Sequence, residues 1–285
     1  MHMSIQKQTS ETASGTLFLR ALACYEPDER IRGEDCLAKL FLPEERRAAL
    51  ESETGRAKAM EKIDRRMYHY IIARTKYFDR LLEDGLKNKI PQVVILGAGY
   101  DSRAYRYRNL IGGAGVFEVD APYTQGTKVG VLSRNDIGYD HVRFVPVDFE
   151  KDDLAEALLK SGFDGNRPAL FLWEGVTLYL TQDAIISTLA HIASVSGGGC
   201  VLAFDYLNFQ PDGKIRKRDE LIQYGMGKDE MAAAVCRCGF SVVENLDPVE
   251  IEKRFLARGD GQLFGETKRT MNFIKAKRKG RLEVS

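Results

Sequence analysis

With 285 residues, 44% of them hydrophobic and 29% charged, the chain has the make-up of a globular protein and enough length to bury a large core. A formal net charge of +1 gives no general field for gathering nucleic acid or anionic lipid, so neither is an expected partner. Five scattered cysteines, whose one close pair is Cys236 and Cys238 with no His nearby, read as reduced thiols rather than a zinc site or a disulfide framework.

Met1-His2-Met3 looks like a cloning remnant, and residues 1–9 are expected to be disordered. No apolar core of a signal peptide follows and no stretch approaches a membrane span, so the expected location is the cytoplasm. Ser10 to Cys24 reads as a helix, and Pro27 to Leu42 as a connector with a short helix around Asp35 to Phe41. Residues 56–84 read as one long amphipathic helix, its apolar stripe running from Met60 through Tyr70 and Ile71 to Leu81, with Gly85 as its stop. Residues 10–85 are therefore predicted to form a helical cap.

The pattern then changes to alternating strands and helices, with strands expected at 92–97, 115–119, 142–147, 168–173, 199–205, 240–246 and 270–277. That alternation predicts an α/β core over residues 86–278 built on a parallel, doubly wound sheet, followed by a frayed tail at 279–285. Turn residues and then Lys214, Arg216, Lys217 and Arg218 interrupt the alternation, which places a lid around 206–228. Its charges could steer an anionic acceptor or simply face solvent.

The chemistry concentrates at the strand ends. Gln92 to Leu96 breaks into Gly97-Ala98-Gly99, and Val116 to Val119 ends on Asp120, twenty-three residues after Gly97. Glycines let a ligand approach bare backbone, and a carboxylate on the next strand tip can accept both hydroxyls of a ribose, so the pair reads as an adenosine-type cofactor site. Asp148 and Glu174 close two further apolar runs. Carboxylates in such places are costly unless compensated, although each alone could be a helix cap. Arg74 lies on the apolar stripe of the long helix, where it either snorkels to the surface or forks onto a carboxylate.

These residues resemble the leucine carboxyl methyltransferase-like branch of the class I S-adenosylmethionine (SAM) methyltransferases, with their bacterial O-methyltransferase relatives. The matching pieces are Ala73-Arg74-Thr75 with Phe78-Asp79, Leu96-Gly97-Ala98-Gly99-Tyr100-Asp101-Ser102-Arg103, Phe117 to Pro122, Asp148-Phe149, and Glu174-Gly175-Val176-Thr177-Leu178-Tyr179-Leu180. Ser10-Glu11-Thr12-Ala13 through Arg20-Ala21-Leu22 is similar too, so the resemblance runs from about residue 10 to 206. It implies a Rossmann-like seven-stranded sheet whose last strand is antiparallel, a place that 270–277 fits. It also implies that SAM binds without a metal and leaves as S-adenosylhomocysteine. Arg74, with Arg20, would hold the methionine carboxylate, and Gly97, Ala98 and Gly99 would line the turn beneath the ligand. Asp120 would take the ribose, Asp148 and the Phe149 amide the adenine, and Glu174 would lie near the methionine amine and the methyl donor. Ala121 and Tyr123 depart from the family pattern after Asp120.

None of His69, His141 and His191 ends a predicted strand, so a convenient general base is absent from the expected place. That favours a carboxylate acceptor on a small molecule or peptide, while Tyr179, Tyr206 or Glu174 could polarise a phenol or alcohol instead. Two readings from other classes stay open on the residues alone. One is a nicotinamide (NAD)-dependent oxidoreductase, although Ser102 stands at the third glycine position of that fingerprint. The other is a non-catalytic SAM-binding protein. Oligomeric state and pathway are not encoded in any motif found.

Overall fold

The computed structural model describes residues 11–209, 215–217, 220–222 and 225–279. The expected tag-like residues 1–9 lie outside them, as do all of the tail but Lys279 and, in the lid, Lys214 and Arg218.

The first third is helical. Helix α1 (Glu11–Ala23) leads to a 3-10 turn (Cys36–Phe41), then α2 (Glu44–Glu51), α3 (Glu53–Lys62) and the long α4 (Arg65–Lys87). The single helix expected over 56–84 is thus two. Ile63 is extended, and the Asp64 side chain accepts the Met67 N–H and caps a fresh start, satisfying a donor that a helix N-terminus otherwise leaves unpaired. Gly85 does not stop α4, which runs on to Lys87. A Cβ at Gly85 would lie 3.1 Å from a Leu170 methyl, so the glycine lets the helix settle close onto the sheet.

Seven strands build that sheet: β1 (Gln92–Leu96), β2 (Gly115–Asp120), β3 (Val142–Pro146), β4 (Leu170–Trp173), β5 (Val201–Leu207), β8 (Phe240–Leu246) and β9 (Met271–Arg278), in the order β3-β2-β1-β4-β5-β9-β8. The pairings among the first five are parallel, and β9 runs antiparallel to both of its neighbours. Both faces of the central strands are covered, which is why β1 and β4 read as unbroken apolar runs. Val93, Ile95, Leu170 and Leu172 pack with Ile71, Phe78 and Leu82 of α4 in one core, while Val94, Leu96, Phe171 and Trp173 face a second core. Helices α5 (Arg103–Arg106), α6 (Arg108–Ile111) and α7 (Pro122–Arg134) flank β2, α8 (Leu154–Lys160) follows β3, and α9 (Gln182–Val195) follows β4. In the lid, β6 (Ile215–Lys217) pairs antiparallel with β7 (Glu220–Ile222); α10 (Lys228–Arg237) and α11 (Pro248–Phe255) flank β8. No described helix is long and apolar enough to cross a membrane.

The reading of five reduced thiols is overturned as well. Cys24, after α1, and Cys36, at the start of the 3-10 turn, form a disulfide across a Cα separation of 5.8 Å, while Cys200, Cys236 and Cys238 are free. The connector doubles back as the Gly33 N–H reaches the Ala23 carbonyl at 2.9 Å, and that reversal brings the two sulfurs together. Disulfides are rare in reducing compartments, so this bond runs against the cytoplasmic expectation. Denatured without reductant, the protein should titrate only the three thiols of Cys200, Cys236 and Cys238, and all five after reduction. Replacing Cys24 with Ser should cost roughly 2–3 kcal/mol in a denaturant melt, the range for a short closed loop. Five thiols before reduction would rule the bond out.

Candidate functional site

At the end of β1 the chain enters the GxG turn with Gly97 at φ +62° and Gly99 at φ +43°, conformations that side-chain-bearing residues rarely adopt. A Cβ on Gly97 would come within 2.3 Å of Val176 Cγ2, so the turns after β1 and β4 interlock there. Across the turn, Asp120 accepts the Gly99 N–H on Oδ2 and the Ala121 N–H on Oδ1, both at 2.6 Å. Burial pushes its carboxyl above the usual carboxylate range, against the pull of those two amides. Ala98 is buried between them, its N–H on the Val119 carbonyl.

Arg74 does not snorkel. It is 7% exposed, with Nε 2.9 Å from Glu174 Oε1 and Nη1 3.3 Å from Asp205 Oδ2. Its guanidinium lies against Gly175, at φ +71°, where a Cβ would stand 3.0 Å from Nη1. Asp205 also accepts the Tyr70 hydroxyl and, at 2.6 Å, the Gly175 N–H. On the other side of Glu174, Arg103 Nη1 lies 2.7 Å from Oε2, and the same guanidinium reaches Asp101 Oδ2 at 2.5 Å and Asp79 Oδ1 at 2.7 Å. Burial pushes the Glu174 carboxyl up, but Arg103, Arg74 and Arg20 outweigh it and hold the group below its ordinary value. Burial likewise disfavours the Arg74 charge, and Glu174, Tyr70 and Asp205 more than restore it. Two atoms stand out in this cluster. Arg74 Nε and Glu174 Oε2 are buried and close to opposite charges, yet neither has a properly directed hydrogen bond.

Arg20, from α1, pairs with the fully buried Asp35, which also accepts the Ser102 hydroxyl and lies 3.5 Å from Arg106 Nε. Its Nε, too, is buried without a hydrogen bond. Arg20, Arg74, Gly97, Ala98, Gly99, Asp120 and Glu174 are thus brought to the carboxyl edge around β1, β2 and β4. Asp148 and Phe149 follow β3 beside them, where the Val147 N–H meets the Asp120 carbonyl. The Asp148 carboxylate is turned into its own loop, on Lys151 and the Glu150 N–H, and the Lys151 hydrogen bond leads in lowering its pKa. Tyr179 ends a 3-10 turn (Thr177–Tyr179) just after Glu174.

Tyr206 is not brought to the site. Neighbours on a strand point to opposite faces, so with Asp205 turned toward Arg74, Tyr206 faces the second core. There its hydroxyl donates to Asn245 Oδ1 at 2.7 Å and accepts from Asn272 Nδ2 at 3.2 Å. Asp205 itself escaped the sequence reading, although it follows the apolar run Val201 to Phe204 just as Asp120 and Glu174 follow theirs. Asp35, Asp79 and Arg106 carry no such signal, since their burial is visible only in the fold. Among the described residues no group of three or more His, Cys, Asp or Glu could hold a metal.

The sequence profile of the leucine carboxyl methyltransferase family matches residues 13–193. A Mycolicibacterium smegmatis protein named as a candidate S-adenosyl-L-methionine-dependent methyltransferase is 35% identical over 203 residues, which cover 69% of this chain and 66% of that one. A Mycobacterium avium protein of the same description is 39% identical over 137 residues, covering 48% of this chain and 43% of that one. The chain therefore spans less than two thirds of these relatives' length. A solved structure of an O-methyltransferase family protein from Burkholderia thailandensis superposes with a TM-score of 0.50 at 11% identity, over 96% of this chain and 75% of that one, which is a likeness of fold. With the profile running from α1 to α9 across the cap, the glycine turn and the Glu174 turn, the chain belongs to the leucine carboxyl methyltransferase family of SAM-dependent methyltransferases.

Proposed function

We propose that the chain is a SAM-dependent O-methyltransferase whose acceptor oxygen belongs to a carboxylate. The observation that carries the cofactor half is the buried pair Arg74 and Glu174, whose Nε and Oε2 lack directed hydrogen bonds. An α-amino acid zwitterion matches that pair, its carboxylate for Arg74 and its ammonium for Glu174. In this reading Arg20 supplies a second cation for the carboxylate, and the GxG turn lets the ligand lie against backbone. Asp120, at the tip of β2, takes the ribose hydroxyls, and Asp148, on turning from Lys151, and the Phe149 amide take the adenine.

SAM supplies a methyl already activated by its sulfonium. What remains for the protein is to align the acceptor oxygen and exclude water. Glu174, held ionised between Arg74 and Arg103, is poorly suited to accept a proton, and His69 and His141 are engaged elsewhere, on the Glu266 and Ala104 carbonyls. A carboxylate acceptor needs no base at neutral pH, whereas a phenol or alcohol does, and Tyr179, in the turn after Glu174, is then the candidate to polarise it. The acceptor is accordingly a small molecule or peptide bearing a carboxylate.

In calorimetric titrations, SAM and S-adenosylhomocysteine should bind in the micromolar range, and NAD and NADPH should not. Arg74→Ala and Asp120→Ala should each weaken binding by about ten-fold or more, as expected for losing charged hydrogen bonds. SAM binding indifferent to both substitutions would remove the assigned site. With labelled SAM and a panel of acids and phenols, label should appear in a base-labile ester, with kcat/KM nearly flat between about pH 6 and 9 because the acceptor is already ionised. A rate climbing toward the phenol range near pH 10 would assign a hydroxyl acceptor instead. Cofactor binding with no transfer to any acceptor would point to a sensor or scaffold.

A further inference from the structure

Resting on the cofactor reading above, we propose that Asp205 is a positioning residue that holds Arg74 open for the carboxylate end of the bound cofactor. It is fully buried, and three donors occupy it: the Tyr70 hydroxyl and Arg74 Nη1 on Oδ2, and the Gly175 N–H on Oδ1. A carboxylate so engaged acts through its partners rather than on a ligand. The Thr177 hydroxyl, donating to the Asp205 carbonyl at 2.6 Å, fastens the same turn from behind.

The consequence is electrostatic. Arg74 lies between two carboxylates, Glu174 at Nε and Asp205 at Nη1. With both present the guanidinium is shared, and its Nε has no directed hydrogen bond to Glu174. Remove the Asp205 charge and the whole attraction falls on Glu174, so the guanidinium closes onto it. An incoming zwitterion must then part a tighter pair before its carboxylate and ammonium find their places. Asp205 also fixes the Gly175 backbone that forms the floor under the guanidinium. Tyr70, one helical turn before Arg74 on α4, holds Asp205 from the cap side. The effect falls on the amino-acid end of the ligand, because the hydrogen bonds of the Asp205 side chain go to Tyr70, Arg74 and Gly175, whereas Asp120, which serves the nucleoside end, is held by the Gly99 and Ala121 amides.

The test compares two ligands that differ only at that end. S-adenosylhomocysteine carries the amino acid, and 5′-methylthioadenosine keeps the adenine, ribose and sulfur without it. In Asp205→Asn, whose amide oxygen still accepts the Gly175 N–H but carries no charge, S-adenosylhomocysteine should bind about ten-fold or more weaker by calorimetry, while 5′-methylthioadenosine stays within about two-fold of wild type. Tyr70→Phe, which keeps the ring packing and the Asp205 charge, should shift the same ratio in the same direction by a smaller factor and serves if Asp205→Asn does not fold. Equal weakening of both ligands would mean a general structural role and overturn the proposal, as would no change in either. Wild type that binds neither ligand would instead overturn the cofactor reading on which the proposal rests.

Discussion

A guanidinium can leave water only where carboxylates meet it, and the pairing of Arg74 and Arg103 around Glu174 is the constraint on which the other features of this molecule depend. Both arginines are buried, and each would cost several kcal/mol without a partner. Their partners come from α4, from the stretch after β1, and from the ends of β4 and β5, so charge compensation is complete only when cap and sheet are docked. An ion network of this kind adds little net stability compared with an apolar core, but it tolerates only one arrangement of the elements that bear it. The same arrangement puts two incompletely bonded atoms of opposite charge where strand ends of an α/β sheet meet ligands.

The glycines serve that constraint as spacers. Gly175 makes room for the Arg74 guanidinium, and Gly97 for Val176. The two turns therefore share one contact surface, and a side chain at either glycine would displace the other turn or the arginine. Cap and sheet are also joined away from this cluster, where Lys268, just before β9, pairs with Asp64, the residue that caps α4.

All seven strands could be read from the chain: the central parallel strands, buried on both faces, write themselves as apolar runs whose ends are marked by Gly97, Asp120 and Glu174, while the edge strands β3 and β8 mix buried and exposed positions. The two halves of the long helix could not be separated, since Met60, Ile63 and Met67 keep a helical spacing across the break and only the capping role of Asp64 betrays it. Asp205 follows the same strand-end pattern as the residues that were recognised, yet nothing in a linear reading tells which of Asp205 and Tyr206 turns toward the cap. That choice follows from sheet order and facing. The Cys24–Cys36 bond was illegible for a related reason, because it depends on how the connector folds back at Gly33 rather than on the twelve-residue spacing.

The place of β9 bears on how the chain reaches this state. The last strand, Met271–Arg278, is inserted between β5 and β8, pairing with both. During synthesis Arg74 emerges long before Glu174 and Asp205, and β5 keeps an open edge until β9 arrives. Such late, non-local closure slows folding and leaves a nascent chain whose cap is charged where it will later be buried. The amino-terminal third cannot finish first: Arg20 finds Asp35 within it, but Arg74 has no lasting partner until Glu174 and Asp205 have left the ribosome.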